Sequence, residues 1–338
     1  MDGHLPLSPP LRISVPATEL GARLYPPVPQ IVEACEGFTL IELMVATALL
    51  LLVSAAVTSA LVQMSRSQIT IWNRTEMHSG VRGATELMQQ EVGQAGRITL
   101  PGTVTLASAV TGVSPCVTPV TVSVSSTSGM FPTENLTLLD GDYQESVTVT
   151  AVPSATQMTA CFTQSHNSGV VLTPLGGFAT GVIPPSGIAN PSTGSVLKLY
   201  GDINGDGNMV YVEYTCDLGS GNLYRNVMAF DAATKPGLTN AQILLGNIVS
   251  NPGGTSCFTY QTSTVVVNSI SFTFVLDVAI TLTVQTQQVD PITKVYQTET
   301  KALLNVSPRN VFDAWAYAGM GYSDHIQSTP ASVINLLA

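Results

Sequence analysis

Hydrophobic and polar positions divide the chain into stretches of different period. From Phe38 to Met64 the side chains are uncharged and mostly apolar, with Glu42 the one charge in 27 residues. A helix rises about 1.5 Å per residue, so that run would reach about 40 Å, enough to cross a hydrocarbon core of about 30 Å. A carboxylate in such a span costs at least about 2.5–3.5 kcal/mol on insertion scales, so Glu42 is expected to have a compensating partner. Further on, Met77, Val81, Ala84, Met88, Val92 and Ala95 recur at intervals of three and four, with Arg82, Glu86, Gln90 and Gln94 on other faces. That spacing predicts an amphipathic continuation of the helix, its apolar stripe turned toward a partner. Gly80, Gly83, Gly93 and Gly96 each weaken it by up to about 1 kcal/mol, and Gly96 with Pro101 beyond it predicts its end.

After residue 100 the period becomes two. "TVTLASAV", "VTVSVSS", "ESVTVTAV", "SVLKLYG", "MVYVEYT", "NLYRNVMAF" and "SISFTFVLDVAITLTVQTQQV" alternate as strands do, separated by Gly, Pro, Asn and Ser clusters. Helical signals are nearly absent there, and strands in succession argue for antiparallel sheet. One long helix docked on such a sheet is an α+β fold. The Gly/Pro/Ser stretch at about 174–195 is expected to be a long surface loop. The resulting division is a leader at 1–37, a transmembrane half-helix at 38–64, an amphipathic half at 65–97, a β-rich body at 98–310 and a tail at 311–338. Trp315, Tyr317 and Tyr322 of the tail are expected to cap the sheet, and the final "VINLLA" to be a short helix or a frayed end.

Composition fits one membrane anchor with one β-rich domain: 10% of residues are charged and the net charge is −10, or −8 without residues 1–37. An acidic body is a poor partner for nucleic acid, whose binding draws on Lys and Arg contacts to phosphate. Residues 1–37 lack the apolar core of a secretory signal, and the apolar run follows them instead.

That inversion has a precedent. "GFTLIELMVA" resembles the prepilin cleavage and methylation motif of type IV pilins and type II secretion pseudopilins. The resemblance implies cleavage by a prepilin peptidase between Gly37 and Phe38, N-methylation of Phe38, and a role for Glu42 in assembly. It also implies a pilin-like fold, a single-pass place in the bacterial inner membrane with the body in the periplasm, and then a filament. The implied partners are other pilin or pseudopilin subunits, the inner-membrane assembly platform, and membrane lipid before assembly. The leader is long for that family, and Glu33 and Glu36 stand where basic residues are usual. With "GDINGDGNMVYVEYTCDLGSGNLYRN" and "VSPRNV", the body looks like PilW-type minor pilins and is similar to J-type minor pseudopilins of type II secretion.

Cleavage would remove Cys35 and leave Cys116, Cys161, Cys216 and Cys257, an even number suited to disulfides outside the cytoplasm. Three pairings exist, and the shorter loops favour 116 with 161 and 216 with 257. "DINGDGNMVYVE" fits a calcium loop with Asp202, Asn204, Asp206, Asn208 and Glu213 as ligands. It also fits a simple turn: if residues 209–214 are a strand, Glu213 lies about 16 Å from Asn208. No nucleotide-binding loop, zinc-protease helix or serine-nucleophile motif occurs in the sequence. The expectation is therefore a non-enzymatic filament subunit: a minor pilin first, a minor pseudopilin second, a tip adhesin or receptor third.

Overall fold

A computed structural model describes residues 37–141 and 143–338. Most of the expected leader, with Cys35, Glu33 and Glu36, lies outside the described residues. The chain divides into two units after Ala60. Helix α1 (Leu40–Gln94) supplies the described helix of the first unit and the opening element of the second.

In the first unit every residue of α1 is exposed. Its two threonine hydroxyls there are satisfied within the helix, Thr47 donating to the Met44 carbonyl at 3.0 Å and Thr58 to that of Ser54 at 2.8 Å. Those two hydroxyls then require no lipid or water partner, as a bilayer interior demands.

In the second unit the expected stripe is buried: Met77, Val81, Ala84, Met88, Val92 and Ala95 all face the core, and Arg82, Glu86 and Gln90 are exposed. The stripe packs on a four-stranded antiparallel sheet ordered β11 (Gln242–Gly246), β10 (Asn222–Ala229), β9 (Val210–Asp217), β8 (Val196–Gly201). Strand parity assigns the faces. Leu197, Leu199, Val212, Tyr214 and Leu223 share the core with α1. Tyr200, Tyr211 and Met228 point the other way, into a second core closed by Phe178, by Val333 and Leu336 of α3 (Ala331–Leu336), and by Leu337 just after it. The α1 core also takes in β12 (Ile248–Val249), β13 (Phe258–Val267), β14 (Ile270–Gln285) and β15 (Thr298–Val306), a second antiparallel sheet built around the sixteen-residue β14.

A third sheet comes earlier in the chain, in the order β1 (Val104–Thr105), β6 (Val171–Pro174), β3 (Asn135–Asp140), β4 (Tyr143–Ser154), β5 (Gln157–Ala160), β2 (Val120–Ser123). A bridge between Leu106 and Val124 joins its two ends, so it curls around its own apolar core. The long helix on antiparallel sheets is the expected α+β architecture. One short pair departs from it: β7 (Gly177–Phe178) and β16 (Ile326–Gln327) are parallel.

Two expectations are corrected. The stretch at 174–195 is not a surface loop throughout, because Gly177–Pro184 is buried apart from half-buried Thr180. This segment seals the end of α1. Gly96, at φ +82°, donates its N–H to the Tyr200 carbonyl at 2.9 Å and accepts the Phe178 N–H at 2.9 Å. A Cβ on Gly181 would lie 2.2 Å from the Gly96 Cα, so the backbones cross where only glycine fits. Second, the chain after residue 100 does contain helices. In α2 (Arg309–Gly319), Val311, Ala314 and Ala318 are buried at helical spacing, and the Asn310 amide donates to the Gln94 carbonyl at 3.1 Å, capping α1. Of the two readings of the final residues, the short helix holds: α3 lies in the core, and Gln327 ahead of it donates to the Asn135 carbonyl at 2.8 Å. Trp315 donates to the Ser263 hydroxyl at 3.1 Å, fixing α2 against β13.

Candidate functional site

The apolar run opens on Gly37 and Phe38, and Phe38 is 85% exposed. Thr39 is the last residue before α1. Its N–H and its hydroxyl both donate to the Glu42 carboxylate at 3.1 Å, and its hydroxyl oxygen accepts the Glu42 N–H at 3.3 Å. This is a capping box: helix starts leave backbone N–H groups unpaired, and a Thr and a Glu three residues apart satisfy two of them reciprocally. The negative charge also lies at the positive end of the helix dipole. Glu42 thus has a partner within its own chain, one that the T-x-x-E spacing carried and that the sequence reading passed over.

Residues 34–58 match the prokaryotic N-terminal methylation motif. The match supports a type IV pilin or pseudopilin subunit, anchored by its N-terminal helix and processed by a prepilin peptidase. No curated protein and no solved structure matches the chain. Among the described residues α1 is the one helix long and apolar enough to cross a membrane, and none of its most apolar window is buried.

The cysteines form two disulfides, Cys116 with Cys161 and Cys216 with Cys257. The first ties the approach to β2 to the end of β5, and the second ties β9 to the residue before β13. Each closes a loop of 40 residues or more, with sequence separations of 45 and 41, and such crosslinks typically contribute about 2–4 kcal/mol. Thiol titration of the denatured, unreduced chain should therefore find Cys35 alone before cleavage and no free thiol after it. Two free thiols in the mature chain would contradict the pairing.

The loop at Asp202 is a turn between β8 and β9. Asp202, 1% exposed, accepts the Asp206 N–H at 3.1 Å and faces the Arg97 guanidinium at 3.5 Å. Asp206 in turn accepts the Asn208 N–H at 2.9 Å, and Asn204 is exposed. Glu213 is not brought to them, and this corrects the twelve-residue cage. Residue 213 is on β9, facing away from α1 between Lys198 of β8 and Asn226 of β10. Its carboxylate accepts the Tyr211 hydroxyl at 2.9 Å and pairs with Lys235 at 3.2 Å and Lys198 at 3.9 Å. Among the described residues no group of three or more His, Cys, Asp or Glu side chains is placed to hold a metal ion.

The other buried charges were not singled out from the sequence. Glu91, on the buried stripe of α1, is clasped by the Arg225 guanidinium through both carboxylate oxygens and accepts the Tyr214 hydroxyl. Burial lowers the tendency of Lys198 to hold its proton, and the ammonium is held by the Asn190 and Leu337 carbonyls, each at 3.0 Å. It therefore anchors the end of α3 rather than serving a ligand.

Among the described residues no cation pairs with Glu134. One of its oxygens meets the Phe131 N–H at 3.4 Å, and the other, buried, has no hydrogen-bond partner among the described residues. Burial pushes its carboxyl up to about 8, with the Phe131 N–H pulling weakly the other way. An unfolded glutamate titrates near about 4.3, so between the two values the folded chain binds one proton more than the unfolded chain. Stability present below about pH 4 is then lost as the pH rises toward 8. Glu134→Gln should flatten this slope, leaving stability near pH 5 little changed and raising it by a few kcal/mol at pH 8.5, on the scale of about 1.4 kcal/mol per unit. Urea denaturation at both pH values would measure it, and parallel profiles for the two proteins would refute it.

Proposed function

We propose that this chain is a minor pilin, an assembly subunit of a type IV pilus that primes filament growth or sits near its tip. The observation that carries the reading is the methylation motif at the head of a fully exposed apolar helix. A helix that buries no side chain along its apolar run is incomplete by itself. Lipid covers it first, and like helices in a filament core replace the lipid after the leader is cut. The body, held by two disulfides and a buried stripe of α1, stays outside that core and meets neighbours or a surface. No catalytic step is required by this role, and we assign none.

Deletion of the gene is expected to abolish or thin surface pili while secretion of exported enzymes continues, and the wild-type chain should be found in sheared pili in few copies. Lost secretion with normal pili would make the chain a minor pseudopilin. Normal pili that no longer attach would make it a tip adhesin.

Maturation can be tested apart from folding. A Cβ added to Gly37 would meet nothing within 4 Å, so a side chain there leaves the fold untouched. Gly37→Leu should nonetheless block cleavage and leave the leader attached, visible as a membrane-bound species larger by the mass of residues 1–37. Cleavage at the wild-type rate would exclude Gly37 as the residue before the cut.

A further inference from the structure

The β14–β15 connection, residues 286–297, is a built turn that exposes apolar side chains. Buried Asp290 organises it by accepting the N–H groups of Ile292 at 2.7 Å and Thr293 at 2.8 Å, while its own N–H donates to the Val295 carbonyl at 3.0 Å. What the turn presents outward is Val289, Ile292, Val295 and Tyr296, with Ile292 60% and Val295 58% exposed. Side chains of this kind held in water by an ordered backbone mark a contact surface.

Its position along α1 follows from pairings inside the second unit. Ser307 and Asn305, at the end of β15, line a cleft with Gln90 and Gly93; Glu299 pairs with His78; Gln297 accepts from Arg74; and Asp290 lies near Thr70, whose hydroxyl donates to the Arg66 carbonyl at 3.1 Å. Strand β15 therefore runs beside the helix, and the turn lies toward the N-terminal end of the helix's length in the second unit. Thr70 is four residues beyond Arg66, the first cation after the apolar run, which is about 6 Å of helix. A headgroup layer is about 5–8 Å deep on each side of the hydrocarbon core. At the same level of the helix stand Ile71 and, on a face turned away from Arg74, Trp72, which is 74% exposed. Aromatic side chains with nearby Lys or Arg are what that layer selects, and here Trp72 and Tyr296 accompany Arg66, Arg74 and Lys294.

We propose that this turn, with Ile71 and Trp72, is a second membrane contact: it seats the unassembled subunit on the lipid headgroup surface and is released when the subunit enters a filament. The proposal rests on the reading of α1 as a membrane anchor, and the test separates the two. Nitroxide labels would be placed singly at Leu52→Cys, Ile292→Cys, Val295→Cys and Met320→Cys in a Cys35→Ser full chain reconstituted into phosphatidylethanolamine–phosphatidylglycerol vesicles. Collision with oxygen, which partitions into lipid, is compared with collision with a water-soluble nickel chelate. Labels at 292 and 295 should favour oxygen several-fold over the label at Met320, which is far along the fold. Nickel preference at 292 and 295 with oxygen preference at 52 would overturn the turn's contact alone. Nickel preference at 52 would overturn the anchor and the proposal with it. Spin–spin broadening at 292 that vanishes on dilution with unlabelled chain, without oxygen preference, would assign the surface to a second copy and refute the lipid contact.

Discussion

A Glu42→Val chain is expected to insert and lose its leader as the wild type does, yet to be nearly absent from sheared filaments. Valine makes the span more apolar, so insertion is favoured. Two losses follow. The capping box with Thr39 disappears, a change worth about 1 kcal/mol at an exposed helix start. In a filament core the amine created at Phe38 would also be left without an anion. Phe38 stands just before the Thr39 cap and Glu42 lies in the first turn of α1, so the carboxylate can answer that amine in its own chain or in a neighbour. Removing one member of a buried pair typically costs about 3–5 kcal/mol, and each 1.4 kcal/mol or so is tenfold in an equilibrium. Incorporation should then fall at least about a hundredfold. Glu42→Gln separates the two causes, because glutamine still closes a capping box but carries no charge. If Glu42→Gln assembles normally, the cap is the role of this residue; if it fails as valine does, the charge is. Wild-type incorporation of Glu42→Val would show that the residue guides no step of assembly.

The second large effect is expected in the body. Glu91→Ala should destabilise it by about 3–5 kcal/mol, because the Arg225 guanidinium and the Tyr214 hydroxyl are left facing a cavity with nothing to bind. For a domain of this size that corresponds to a fall of about 6–20 °C in Tm. The triple variant Glu91→Leu, Arg225→Met, Tyr214→Phe should recover most of the loss, since replacing a whole buried ionic group by apolar side chains is often neutral or better. Denaturation of the single and triple variants would measure both. A Glu91→Ala protein as stable as the wild type would mean that water reaches the guanidinium and that the clasp contributes little.

What could be read from the sequence was what neighbouring residues decide together. The stripe from Met77 to Ala95 was legible because a helix brings every third and fourth residue to one face, and all six members are buried as expected. The methylation motif was legible because a peptidase reads it as a short linear segment. The strands richest in Val, Ile and Tyr were legible too, whereas β13 was not. Its "FTYQTSTVVV" is half-polar because much of it faces solvent, so alternation carries little signal there. Helix α2 escaped because its buried face is only Val311, Ala314 and Ala318.

By itself, then, the sequence determined the exposed apolar helix with its processing motif, the buried face of that helix's second half, and the α+β class. Each of these depends on periodicity or on a contiguous motif, which local geometry translates directly into structure. Tertiary structure alone decided where the charges went. Glu91 meets Arg225 across 134 positions, and Glu213 turns from the Asp202 loop to Lys198 and Lys235 because it lies on the far face of β9. Parity along a strand fixes which face a residue takes, but the charge standing opposite is set by which strand folds beside it. That choice belongs to the whole chain, and it is why a calcium-loop spacing became a turn and a helix glutamate became a buried clasp.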